Sequence, residues 1–180
     1  MSQGDSSSDA TIGPYPIVRK LGEGGMGVVY LVKDPSAAGR EVALKLLRNE
    51  GGDPRMLERF LREAKMLASL RHPGIVKIRS TGWLNEGPFL LMDFVEGEPL
   101  DEKVREPMDP KEAARITRGV ADAVAAMHAQ GLLHRDIKPS NVLLRPDGSP
   151  ILLDFGLARD TRAERLTLTG EVLGTPSYMS

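Results

Sequence analysis

A chain of 180 residues allows one domain of ordinary size, and an apolar fraction of 41% is enough for a core. The net charge is −1, with acids and bases interspersed, so the chain offers no field for gripping nucleic acid and no polybasic signal for a membrane surface. With no cysteine, disulfides and thiolate metal sites are excluded; no apolar run approaches the roughly 18 residues of a membrane span, and a cytoplasmic protein is expected.

Met1 to Thr11 is rich in Ser, Asp and Gly and lacks the basic start and apolar centre of a secretory signal, so residues 1–11 are expected to form a disordered tail. From Tyr15 the pattern turns strand-like, through Ile17-Val18 and Leu21, then a glycine cluster, then Val28 to Val32. Asp34-Pro35 to Gly39 reads as a turn, and Glu41 to Leu47 as a third strand. Asp53-Pro54 is a helix start with a capping Asp and a first-position Pro. Leu57, Phe60, Leu61, Ala64, Leu67 and Leu70 then recur at helical spacing until His72-Pro73-Gly74. Ile75 to Ile78 and Phe89 to Phe94 suggest two more strands, joined by the turn Asn85-Glu86-Gly87.

Beyond a boundary expected near Gly97 the composition becomes helical. Asp109-Pro110 opens an Ala-rich helix with Glu112 three residues after its cap. Ala113, Ile116, Val120, Val124 and Met127 form its stripe, and Gly131 stands where a left-handed cap is expected. Val142 to Leu144 and Ile151 to Leu153 flank the turn Pro146-Asp147-Gly148 as a short hairpin.

Gly22-Glu23-Gly24-Gly25-Met26-Gly27-Val28-Val29 fits G-x-G-x-x-G-x-V. Glycines let backbone amides approach phosphate oxygens. A dinucleotide site needs a helix after them, whereas Val-Val-Tyr-Leu-Val announces a strand, so a phosphate-covering hairpin is the better reading. Lys45 sits on an otherwise apolar strand. Alone it reads as a solubilising edge lysine, but Glu63 falls beside the buried face of the following helix and calls for a cation. A Lys45–Glu63 pair would aim the lysine at phosphates; Glu58 is a competing partner with poorer spacing.

His134-Arg135-Asp136-Ile137-Lys138-Pro139-Ser140-Asn141 places three different tools in one loop. Asp136 can accept a proton from an attacking hydroxyl, Lys138 can neutralise phosphate charge, and Asn141 can hold a metal through its side-chain oxygen. Asp154-Phe155-Gly156 follows the hairpin and puts a second metal ligand, a carboxylate, at a strand end.

These motifs, in this order, together with Gly174-Thr175-Pro176-Ser177-Tyr178, resemble a protein kinase over roughly Ile12 to Ser180, above all the bacterial Ser/Thr kinases related to the eukaryotic ones. The resemblance implies an α+β protein kinase-like fold. Residues 12–96 would be a complete β-rich N-lobe with one helix, and residues 97–180 an incomplete helical C-lobe. It implies ATP and Mg²⁺, with Mn²⁺ as an alternative, and a Ser or Thr hydroxyl on a protein substrate. Lys138 marks the Ser/Thr form of the loop. A homodimer for trans-autophosphorylation is a further partner it implies.

Carried over residue by residue, Gly22, Gly24, Gly27 and Lys45 would hold phosphates, and Leu21, Val29, Ala43 and Leu143 would sandwich the base. Met92 matches the gatekeeper, and Asp93-Phe94-Val95 the hinge whose backbone pairs with adenine. Leu67, Ile78, His134 and Phe155 match an apolar spine linking the lobes, which makes His134 structural. Arg135 would pair with a phosphate on the activation segment, where Thr167 and Thr169 match autophosphorylation positions, and Thr175 would contact Asp136 and Lys138. The family continues past Ser180 with a Pro-Glu pair and more helices. The resemblance therefore implies a domain truncated within its activation segment, with the stripe of the 110–129 helix left open. A non-catalytic ATP-binding or scaffolding fragment is the alternative to an active kinase.

Overall fold

The structure, a computed structural model, describes residues 10–25, 27–48 and 54–154, without the side chains of 54–61. Four strands open it: β1 (Thr11–Ile12), β2 (Tyr15–Gly24), β3 (Gly27–Asp34) and β4 (Arg40–Leu47). Helix α1 (Pro54–Ser69) follows, then β5 (Ile78–Leu84) and β6 (Gly87–Asp93). All six strands form one antiparallel sheet in the order β1-β2-β3-β4-β6-β5.

The sheet is apolar on both faces, which is why its central strands read as nearly continuous apolar runs. Along β4, Val42 and Leu44 join Val32, Phe89 and Leu91 on one face, closed off by Ile12. Ala43 and Leu47 join Leu90 and Met92 on the other, against Ala64 and Leu67 of α1. Period-2 alternation puts Lys45 on that second face, between Ala43 and Leu47, and it is buried there.

Two expectations need correction. Thr11 is not tail: it pairs with Pro16 in the first strand, and Ile17 N donates to Ala10 O at 2.9 Å. The strand expected over Ile75 to Ile78 runs instead from Ile78 to Leu84, a more polar segment that forms the sheet's edge. Ile75 and Val76 are buried by the other half of the chain. Ile75 bridges Leu152 in parallel, Val76 N donates to Leu152 O at 3.0 Å, and Leu152 N donates to Gly74 O at 2.8 Å. An apolar run thus marked a crossing between halves rather than a strand of the sheet.

The second half contains β7 (Glu98–Pro99), α2 (Leu100–Lys103), α3 (Pro110–His128), β8 (Val142–Leu144) and β9 (Pro150–Leu152), with β7-β8-β9 as a small antiparallel sheet. Asp109 caps α3 as expected, accepting from Lys111 N at 2.7 Å and Glu112 N at 3.3 Å. Gly131 takes the left-handed conformation, φ +71°. The α3 stripe is partly covered: Ala113, Val120 and Val124 are half-buried. Ile116, Ala123 and Met127 are buried, and α3 packs on β9, whose Ile151 and Leu152 lie in the same apolar cluster as Ala123 and Met127. The hairpin expected over 142–153 supplies this cover.

Candidate active site

The β2–β3 hairpin tip closes at Gly24 opposite Gly27. Its glycines have different reasons to be glycine. Gly27 has φ +145°, and a Cβ there would lie 2.1 Å from Leu46 O. Gly22 and Gly24 would meet nothing within 4 Å. The fold itself requires Gly27, whereas the open space beside Gly22 and Gly24 can admit a phosphate chain. Gly27→Ala is therefore expected to destabilise the chain by about 2 kcal/mol or more. Gly22→Ala is expected to leave the melting temperature near that of the native sequence while weakening ATP binding. Thermal unfolding with and without MgATP checks both.

Leu21 is the extra residue of a bulge between Lys20, opposite Tyr30, and Gly22, opposite Val29. Bulges re-aim side chains, and Leu21 packs with Val29 on the cluster that holds Ala43 and Met92. Val95 and Leu143 pack on the same cluster. Six of the residues matched to base contacts, Leu21, Val29, Ala43, Met92, Val95 and Leu143, are thus brought together, from both halves of the chain.

Lys45 is 4% exposed, and its Nζ is paired with Asp154 Oδ1. The carboxylate recorded on this lysine is thus the one the sequence assigned to metal. Glu63, half-buried on α1, has interactions of its own. Asp154 adopts φ +50° and Arg135 φ +62°, left-handed conformations that cost a non-glycine residue about 1–3 kcal/mol and gather at functional sites.

From Leu132 to Ile137 the loop alternates. Leu132, His134 and Asp136 are buried, while Leu133, Arg135 and Ile137 are exposed. Asp136 Oδ2 lies 3.2 Å from Lys138 Nζ and accepts from Asn141 Nδ2 at 3.0 Å. Asn141 Nδ2 also donates to Asp136 O at 2.7 Å. With both amide hydrogens on Asp136, the end of Asn141 suited to a cation is its carbonyl oxygen. Leu153, expected only as a strand residue of the hairpin, ties the parts together. Its N donates to Asn141 O at 2.9 Å, and its carbonyl takes His134 Nε2 at 2.9 Å, immediately before Asp154. It makes these bonds through its backbone, while its side chain packs on the apolar cluster, so the side chain gave no sign of the tie.

The carbonyl can only accept, so this bond sets the His134 proton on Nε2. Burial pushes the imidazole below its ordinary value of 6.5, so it is neutral at pH 7. The unfolded chain takes up this proton near 6.5 and the folded chain only at lower pH. The stability contribution is therefore complete above 6.5 and is lost as pH falls from there towards the folded value. Thermal unfolding between pH 7.5 and 5.5 should show a steeper loss for the native sequence than for His134→Phe.

Phe155, Gly156, Thr167, Thr169 and Thr175 lie outside the described residues, as do Asp53, Met26 and the side chains of Leu57, Glu58, Phe60 and Leu61. Of the expected spine, Leu67 and Ile78 share one buried cluster, and His134 is buried as well.

Residues 15–180 match the family described as protein kinase domain. The chain belongs to the protein kinase family. It is 40% identical over 182 residues to serine/threonine-protein kinase PkaA of Streptomyces coelicolor, covering 92% of this chain and 34% of that protein. It is 40% identical over 171 residues to PrkC of Bacillus subtilis, also named a serine/threonine-protein kinase, covering 93% and 26%. The fold resembles the crystal structure of the Mycobacterium tuberculosis PknI kinase domain, with TM-score 0.69, 34% identity, and coverage of 84% of this chain and 63% of that one. The kinase chain thus spans about a third or less of the length of these curated relatives. Among the described residues, no helix is long and apolar enough to cross a membrane.

Proposed function

We propose that this kinase chain binds MgATP between its halves and transfers the γ-phosphoryl group to a Ser or Thr hydroxyl of a protein. The observation that carries the reading is the shared anchoring of Asp136, Lys138, Asn141 and Asp154 through Leu153 and Asn141, with Lys45 brought onto Asp154 from the sheet.

Leu21, Val29, Ala43, Met92, Val95 and Leu143 form the apolar walls for adenine, and the backbone from Asp93 to Val95 pairs with it. The amides at Gly22, Gly24 and Gly27 cover the phosphates, and Lys45 holds the α- and β-phosphates. The carbonyl oxygen of Asn141 and the carboxylate of Asp154 are hard oxygen donors, and they fit Mg²⁺ or Mn²⁺. When bound, the ion neutralises charge on the β- and γ-phosphates. Asp136 orients the substrate hydroxyl and takes its proton as the new O–P bond forms. The bond from the γ-phosphorus to the β–γ bridging oxygen breaks, and ADP leaves with that electron pair. Lys138 balances the charge on the phosphoryl group in flight.

The kinship with serine/threonine-protein kinases supports a protein substrate, and Lys138 two residues after Asp136 supports a Ser or Thr acceptor. In related kinases an arginine at the position of Arg135 pairs with a phosphate on the activation segment and orders it; here Thr167 and Thr169 carry that phosphate, placed by transfer between two copies of the chain. The test is to incubate the purified protein with γ-labelled ATP, Mg²⁺ and a generic basic protein. Label on Ser or Thr supports the reading. Thermal stabilisation by MgATP without transfer would leave a nucleotide-binding scaffold instead.

A further inference from the structure

Strands β5 and β6 pair with one residue too many. Ile78 stands opposite Met92 and Ser80 opposite Leu91, so Arg79 is the extra residue of a bulge. A bulge disrupts the ladder locally and re-aims a side chain, and bulges are over-represented beside functional sites. This one turns Arg79 onto Asp93, with Nε donating to Oδ1 in a part-buried ion pair. The backbone of Asp93 is held at the same point, its N donating to Lys77 O at 3.0 Å.

The face on which this happens matters. Met92 lies in the cluster with Ala43, packed against Leu21 and Val29, so alternation puts the Asp93 side chain on the opposite face of the sheet. Leu91 is in the cluster on that opposite face, as the alternation requires. Asp93 is therefore gripped from behind, on the side away from the apolar walls. The pair sits in an open groove that Arg40, Lys77 and Arg145 line together with Glu41 and Glu96, so charges of both signs are plentiful there. What sets Arg79 apart is the direction the bulge gives it.

We infer that Arg79 is a positioning residue for nucleotide binding: by holding Asp93 from the rear, it fixes the hinge backbone that pairs with adenine. The inference rests on the nucleotide-binding reading above. A fully exposed ion pair would contribute little. This one is partly buried, with 23% and 34% side-chain exposure, and it joins the edge strand β5 to the start of the hinge at the end of β6.

The experiment compares two ligands that read different parts of the site. Adenosine reads the hinge and the apolar walls; inorganic tripolyphosphate with Mg²⁺ reads Lys45 and the glycine hairpin. Affinities for both are measured by displacement of a fluorescent ATP analogue from the purified chain. Arg79→Ala is expected to weaken adenosine about tenfold, the scale of one charge-assisted hydrogen bond, and to leave tripolyphosphate unchanged. Asp93→Asn, nearly isosteric, should show the same split and carries the test if Arg79→Ala unfolds. The double variant should lose no more than either single one. Unchanged adenosine affinity in folded Arg79→Ala overturns the inference, and so does an equal loss for both ligands in folded Asp93→Asn. Failure of the native chain to bind the analogue at all overturns the nucleotide reading itself.

Discussion

Lys45→Met is expected to abolish measurable phosphoryl transfer, with a loss of at least about 100- to 1,000-fold, the cost of removing one preorganised charge from a developing one. The side chain lies on β4 between Val29 of β3 and Leu90 of β6, its cross-strand partners. Both sides are apolar and the lysine is 4% exposed, so an ammonium there is kept only for an anion to meet. Asp154 is the anion it meets in this structure. Methionine fills the volume and keeps the sheet, so the fold should persist while the phosphates lose their cation. Steady-state transfer and far-ultraviolet circular dichroism, measured together, separate those two outcomes. Full autophosphorylation by the Lys45→Met protein would remove the role given to this lysine.

Asp136→Asn is expected to lower kcat by about 100- to 10,000-fold, the range of a positioned general base, with little change in MgATP affinity. The carboxylate is 6% exposed and already oriented by Asn141 Nδ2 and Lys138 Nζ. Asparagine keeps the shape but takes no proton from a hydroxyl, and its amide can turn only an oxygen toward those two donors. The loss should therefore fall on the chemical step. Quench-flow transfer at saturating ATP, beside equilibrium nucleotide binding, reads the split directly.

Much of the site was legible because its residues lie at fixed short offsets. The glycine hairpin and the loop from His134 to Asn141 each carry their chemistry within eight residues. Alternation along β4 was enough to set Lys45 among apolar neighbours, and the Asp109-Pro110 pair was enough to start α3. Contacts that depend on how distant segments close were less legible. Lys45 was expected on Glu63, yet its recorded partner is Asp154, 109 residues away, a contact no periodicity encodes. The run Ile75 to Ile78 looked like a strand because it is buried, but the hairpin at 142–152 does much of the burying. That hairpin also covers part of the stripe of α3, which the resemblance implied was left open. The bulges at Leu21 and Arg79 leave no mark on composition, because a single inserted residue shifts register without changing the pattern's character.

The most direct test of the central claim is a single-turnover assay with γ-labelled ATP, Mg²⁺ and a basic protein substrate, run on the native chain, Lys45→Met and Asp136→Asn. The native chain should place label on Ser or Thr, Lys45→Met should place none, and Asp136→Asn should bind nucleotide yet transfer at least about 100-fold more slowly. Transfer by Asp136→Asn at the native rate would contradict the account, because it would put the chemistry somewhere other than the loop from His134 to Asn141.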